Sequence, residues 1–120
     1  MWQFNNREPV FFQIACRLRA EILSGKYTAR EQFPSVRQIA ADASVNPNTV
    51  QRALLMLEAD GLLYNKGTVG RFVTEDKVIL DNAREKMRRE TVRGMISQAE
   101  ALGISLDELI KIIKEEGREK

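Results

Sequence analysis

The sequence predicts a mostly α fold with a small β-hairpin wing: a winged helix-turn-helix followed by a C-terminal helical segment. Three observations carry this. Apolar residues recur at helical spacing in three successive stretches between Val10 and Asp60. A glycine-rich turn, Asn65–Gly70, separates two short apolar runs. Two more helical stretches follow after Thr74, in a segment of different texture.

The elements can be justified in chain order. Pro9 suits the start of a first helix because it has no N–H to be orphaned there. Phe11, Ile14, Leu18 and Ile22 form its apolar stripe, and Ser24-Gly25 ends it. Lys26 to Phe33 reads as a short loop. Ser35 is placed as the N-cap of a short second helix carrying Val36, Ile39, Ala40 and Ala43, which Ser44-Val45-Asn46 breaks. A third helix starts near Pro47 and runs to about Asp60, with Gly61 as its stop. Leu62-Leu63-Tyr64 and Arg71-Phe72-Val73 then form the hairpin. Beyond it, Asp81 to Thr91 is dense in mixed charge, as on a solvated helix face. Apolar spacing returns at Val92, Met95, Ile96, Ala99 and Leu102, and Gly103 interrupts it. Ser105 and Glu108 have the spacing of a capping box, opening a last helix with Leu106, Leu109, Ile110 and Ile113 on one face. The expected division is residues 1–75 as the winged domain and 76–120 as a two-helix tail.

Composition narrows the function. The 120 residues allow one compact domain with a modest appendage. The net charge of +2 arises wholly before Asp76, where nine Lys/Arg face seven Asp/Glu, against ten of each afterwards. So small an excess must be concentrated on one face to serve nucleic-acid binding. The absence of histidine excludes a His-based triad, a His metal site and a His pH switch. Without a His partner, Cys16 reads as a small buried apolar residue, and no Gly-rich phosphate loop occurs. No catalytic residue, metal site or cofactor is expected. With one cysteine, no membrane-length apolar run and no signal peptide, the chain is expected to be cytoplasmic.

Projecting the third helix at about 100° per residue sets Val50, Ala53, Leu54 and Leu57 on one face. Asn48, Arg52 and Leu55 fall opposite, flanked by Gln51 and Thr49. Amide, hydroxyl and guanidinium groups on the first turns of a helix can pair with base edges in a major groove or with phosphate oxygens. Lys66 and Arg71 add positive charge on the wing.

Three segments resemble the DNA-binding domain of the GntR family: Gln32-Phe33-Pro34-Ser35-Val36-Arg37-Gln38-Ile39-Ala40, Val45-Asn46-Pro47-Asn48-Thr49-Val50-Gln51-Arg52-Ala53, and Leu57-Glu58-Ala59-Asp60-Gly61-Leu62-Leu63. The resemblance implies a transcription regulator that contacts a double-stranded operator through Arg37, Asn46, Asn48, Thr49, Gln51, Arg52 and Gly67. Three features depart from the family pattern. Ser44 stands where the turn usually has glycine, Leu55 and Met56 where polar residues are usual, and the wing tip is less basic. Packing under a C-terminal helix is the expected explanation for Leu55 and Met56.

About 45 residues follow the wing, too few for a separate effector domain. A short two-helix tail resembles the YtrA subfamily, in which the tail mainly serves dimerisation; the resemblance further implies target genes near those for ABC transporters. Val92, Met95, Ile96, Ala99, Leu102, Leu106, Leu109, Ile110 and Ile113 are the expected dimer contacts, since two helices alone cannot bury both stripes. Folding of the tail back onto the winged domain is the alternative. An unidentified small-molecule effector would need a pocket of roughly 300 Å³ or more at the dimer interface or against the winged domain. The leading reading is a repressor of its own operon that binds an inverted repeat as a homodimer. The competing one is a winged-helix module that binds protein through the same helix.

Overall fold

In the computed structural model, residues 2–118 are described, and they divide into two compact units, 2–82 and 83–118. The first unit holds three helices, α1 (Val10–Leu23), α2 (Val36–Ala43) and α3 (Pro47–Ala59). An antiparallel hairpin follows, β1 (Leu63–Asn65) with β2 (Arg71–Val73).

Local chemistry fixes most of the boundaries. Pro9 is the N-cap of α1, and its carbonyl accepts from the N–H groups of Phe12 and Gln13. Ser35 and Gln38 form a reciprocal capping box at α2: the Gln38 N–H donates to Ser35 Oγ at 3.1 Å and the Ser35 N–H to Gln38 Oε1 at 2.7 Å. Ser44 ends α2 in the left-handed region, with φ 56° and ψ 48°. An L-residue bears a steric cost there that glycine avoids. At α3, Asn46 Oδ1 accepts from the Asn48 N–H at 2.8 Å, and Pro47 takes the first helical position.

The core is apolar and continuous across the unit. Ile14, Ala15, Leu18 and Ile22 of α1 are buried together with Ile39, Ala40 and Ala43 of α2 and Val50, Ala53, Leu54 and Leu57 of α3. Leu62, Leu63, Val73 and Phe33 bring the hairpin and the inter-helix segment into the same core. Cys16 does not join it. The side chain is exposed, because residue 16 lies about 160° to 200° around the helix from Ile14 and Leu18. The expectation of a buried cysteine is therefore corrected. Phe11, placed on the apolar stripe, is only half-buried.

The segment expected as a plain loop before Pro34 has a structural task. Gln32 bridges to Phe72 in antiparallel fashion, and the Phe33 N–H donates to the Arg71 carbonyl at 2.7 Å. The outer strand of the wing is thus held on its second edge. In the hairpin, Leu63 pairs with Val73, Tyr64 with Phe72 and Asn65 with Arg71, and a 3₁₀ turn over Gly67–Val69 closes the tip.

The charged stretch and the apolar stretch after Thr74 are one helix. This helix, α4, spans Lys77–Ala101, and Asp76 Oδ1 caps its start by accepting from the N–H groups of Val78 and Ile79. Residues 2–82 include its first turns. In residues 83–118, the rest of α4 leads through Leu102–Ser105 to α5 (Leu106–Arg118). Ser105 and Glu108 form the expected capping box: Ser105 Oγ accepts from the Glu108 N–H at 3.2 Å and Glu108 Oε1 from the Ser105 N–H at 3.3 Å. Among the described residues, no helix is long and apolar enough to cross a membrane.

Candidate nucleic-acid interface

The first turns of α3 present their polar side to solvent. Asn48 and Arg52 are exposed, while Thr49 and Gln51 are half-buried on the flanks. The helix takes this orientation because Val50, Ala53, Leu54 and Leu57, on its opposite side, are fully buried. Asn46 is exposed, with its side-chain oxygen committed to capping, so its amide nitrogen is the donor left for a ligand. Arg37 projects from α2 as an exposed side chain.

Charge pairing separates Arg37, Arg52 and Lys66 from several other cations of this unit. Arg17, Arg19, Lys26, Arg30 and Arg71 each face a carboxylate, on Glu21, Asp60, Glu21, Glu75 and Glu58 respectively. Arg37, Arg52 and Lys66 have no carboxylate partner among the described residues. Two of these three rest on aromatic rings instead. The Arg52 guanidinium lies 3.9 Å from the centroid of the Phe11 ring. Lys66 Nζ lies 5.7 Å and 5.3 Å from the Tyr64 and Phe72 rings, themselves stacked at 5.9 Å. A ring face holds a cation in place without neutralising it. The charge at the start of α3 and on the wing therefore remains available to an anion.

Of the expected contacts, Asn46, Asn48, Thr49, Gln51 and Arg52 share the N-terminal half of α3, and Arg37 precedes them on α2. Lys66 and Gly67 are on the wing tip. The Gly67 N–H already donates to Asn65 Oδ1 at 2.8 Å, so what Gly67 offers a ligand is close backbone approach, with open space where a Cβ would stand. Arg71 departs most from expectation. Its guanidinium is turned onto α3, and its side chain is only 13% exposed.

Phe11, Tyr64 and Phe72 are the residues that sequence reasoning missed. The hairpin register pairs Tyr64 with Phe72 and could have revealed the Lys66 platform. Nothing local links Phe11 to Arg52. Leu55, on the same exposed side of α3, is 49% exposed, and Met56 is half-buried.

In the second unit, Ala99 is buried within the chain itself, at 5% exposure, and so is withdrawn from any partner. Val92, Met95, Leu102, Leu106, Ile110 and Ile113 are exposed, with Ile112 beside them; Ile96 and Leu109 are half-buried.

Comparison with known proteins gives a family match and several similar chains. The family described as bacterial regulatory proteins, gntR family, matches residues 12–73. An HTH-type transcriptional regulator of Bacillus subtilis (strain 168), YhcF, is 31% identical over 112 residues, covering 93% of each chain. The HTH-type transcriptional repressor YtrA of the same organism is 31% identical over 108 residues, covering 89% of this chain and 83% of its own. A solved GntR family transcriptional regulator from Listeria monocytogenes superposes with a TM-score of 0.84 at 31% identity, covering 93% of this chain and 98% of its own.

Proposed function

Because this chain belongs to the gntR family of bacterial regulatory proteins, and is thereby a DNA-binding transcription regulator, we propose that it represses its own operon by binding an inverted-repeat operator as a homodimer. One observation carries the reading: Arg37, Arg52 and Lys66, on α2, α3 and the wing, lack the carboxylates that pair other cations of the first unit. Unneutralised cations beside the exposed amides of Asn46 and Asn48 and the half-buried Thr49 and Gln51 suit a phosphate backbone flanking base edges.

In this reading α3 enters the major groove, with Asn48 and Arg52 at base edges and Thr49, Gln51 and Asn46 beside them. Arg37 and Lys66 meet phosphates on either side, and Gly67 lets the wing tip approach the backbone. The exposed apolar residues of α4 and α5 form the contact between two chains, so that paired recognition helices read two half-sites related by a two-fold axis. The repressor sign is supported by the name of one relative, a transcriptional repressor.

Arg52→Ala tests the base-reading role. Operator affinity, measured by fluorescence anisotropy, is expected to fall by about 1–3 kcal/mol, while binding to unrelated duplex changes less. Equal loss on both DNAs would make Arg52 a backbone contact and remove it from specificity.

Leu55 favours a second reading, in which α3 docks on a protein. A half-exposed leucine on the outer side of the helix is what apolar docking would use. Such docking would be nearly indifferent to salt, unlike DNA binding.

A further inference from the structure

Arg71 stands on the outer strand of the wing, where a phosphate contact would be expected, yet it points the other way. Its Nε donates to Glu58 Oε1 at 2.6 Å, and its Nη2 donates to Gln51 Oε1 at 3.3 Å. The Arg71 and Glu58 side chains are only 13% and 22% exposed. Gln51 and Glu58 are seven residues apart, two turns of α3, and so lie on one side of the helix. A single guanidinium therefore ties the wing strand to that side at two points.

The chemistry of the contact fixes the amide. A guanidinium can only donate, so Gln51 must turn its carbonyl oxygen toward Arg71 and its –NH₂ group away. A glutamine that reads adenine in the usual bidentate way uses its oxygen and its nitrogen together. Here the oxygen is already engaged on the protein side, and the group left to lead into the groove is a donor. Guanine, thymine and adenine each offer an acceptor on their major-groove edges (N7 and O6, O4, and N7 respectively), whereas cytosine offers only an amino donor.

We propose that Arg71, anchored by Glu58, is a positioning residue that holds the Gln51 amide nitrogen toward the major groove as a donor, so that Gln51 tolerates guanine, thymine or adenine and rejects cytosine in each half-site. The inference rests on the DNA-binding reading above. It withdraws Arg71 from the phosphate contacts and gives it a part in specificity instead. Glu58 acts one step further back, fixing the guanidinium through the shorter of the two contacts.

The test uses the full chain and the inverted repeat that the wild-type protein selects from a randomised duplex pool. Binding is measured for every single base-pair substitution in that repeat, and for the unsubstituted repeat across a range of salt. For wild type, placing cytosine opposite Gln51 is expected to cost about tenfold in affinity relative to the selected base. In Arg71→Met that preference falls to about twofold at this position alone, as it does in Gln51→Ala, and the double variant shows no further relaxation. The slope of log affinity against log salt stays at the wild-type value. Should Arg71→Met unfold because Glu58 is left unpaired, the paired variant Arg71→Met/Glu58→Leu removes both charges and is read in the same way. A slope shallower by about 0.9 per protomer, with the base preference intact, would make Arg71 a phosphate contact and overturn the inference. Selection of cytosine at that position by the wild type would overturn it as well. If wild type selects no sequence from the pool, the DNA-reading proposal fails first. If it selects one but Arg71→Met leaves every preference unchanged, only the role of Arg71 fails.

Discussion

Residues 2–82 and 83–118 are both largely helical, but they are built on different terms. The first unit closes over its own apolar side chains, and every buried apolar residue among those described lies in it except Ala99. The second presents a 13-residue helix, α5, with no buried residue at all, and leaves Leu106, Ile110, Ile112 and Ile113 exposed along it. A helix of that length is marginal in water on its own, and its stability ordinarily comes from packing of its apolar face. The winged unit thus has what a fold needs within one chain, whereas the tail leaves its apolar face uncovered within the chain, the face that the proposed homodimer would bury.

The largest expected effect tests the tail. Ile110→Glu/Ile113→Glu places two charges on its apolar face, and light scattering is expected to find the single-chain mass of 13.7 kDa in place of twice that. Operator affinity should fall by about 10² or more, since a second binding event loses its linkage to the first. Circular dichroism of the winged unit should change little. A variant that remains dimeric would break the comparison, because the tail would then not be the assembly surface. Wild-type melting is expected to rise with protein concentration, as it does when folding and association are coupled.

A smaller effect tests the self-sufficiency of the winged unit. Gly70 has φ 112° and ψ −164°, a conformation open essentially to glycine. An added Cβ would lie 2.6 Å from Gln32 Nε2, the atom that donates to the Val69 carbonyl at 2.8 Å. Gly70→Ala is therefore expected to cost about 1–3 kcal/mol in thermal unfolding and to weaken operator binding through Lys66, with the dimer unaffected. Loss of the dimer in this variant would mean that the two regions are not separable in the way described.

The smallest effect has the opposite sign. Ser44 holds a left-handed conformation that glycine adopts without steric cost, against a greater loss of freedom on folding. Ser44→Gly should stabilise the winged unit by about 0.5 kcal/mol, read as a small rise in melting temperature at unchanged dimer affinity. A destabilised variant would show that the Ser44 side chain contributes more than its backbone strain costs.

The same division explains what the sequence made legible. Helix ends were readable because their causes are local: Ser35 with Gln38, Asn46 beside Pro47, and Ser105 with Glu108 all act within four residues. The buried face of α3 followed from periodicity alone, and with it the exposure of Asn48 and Arg52. The contacts that shape the interface were not readable, because they join residues far apart in the chain. Gln32 meets Phe72 across 40 positions, Phe11 meets Arg52 across 41, and Glu58 meets Arg71 across 13. Residue type even misled at Arg71, where a wing cation suggested phosphate and the fold supplied a carboxylate. Cys16 misled for a similar reason, since its usual preference for burial yielded to its place on the outer side of α1.

The proposed function has two copies of this chain together reading one inverted repeat through charge and base contacts. Its most direct test is native mass spectrometry of the complex with the duplex selected by the wild-type protein, combined with affinity measured between 50 and 200 mM salt, the range over which about six to ten phosphate contacts cost 10³–10⁵. The account predicts two chains per duplex and an affinity that falls steeply over that range. One chain per duplex, or an affinity indifferent to salt, would contradict it.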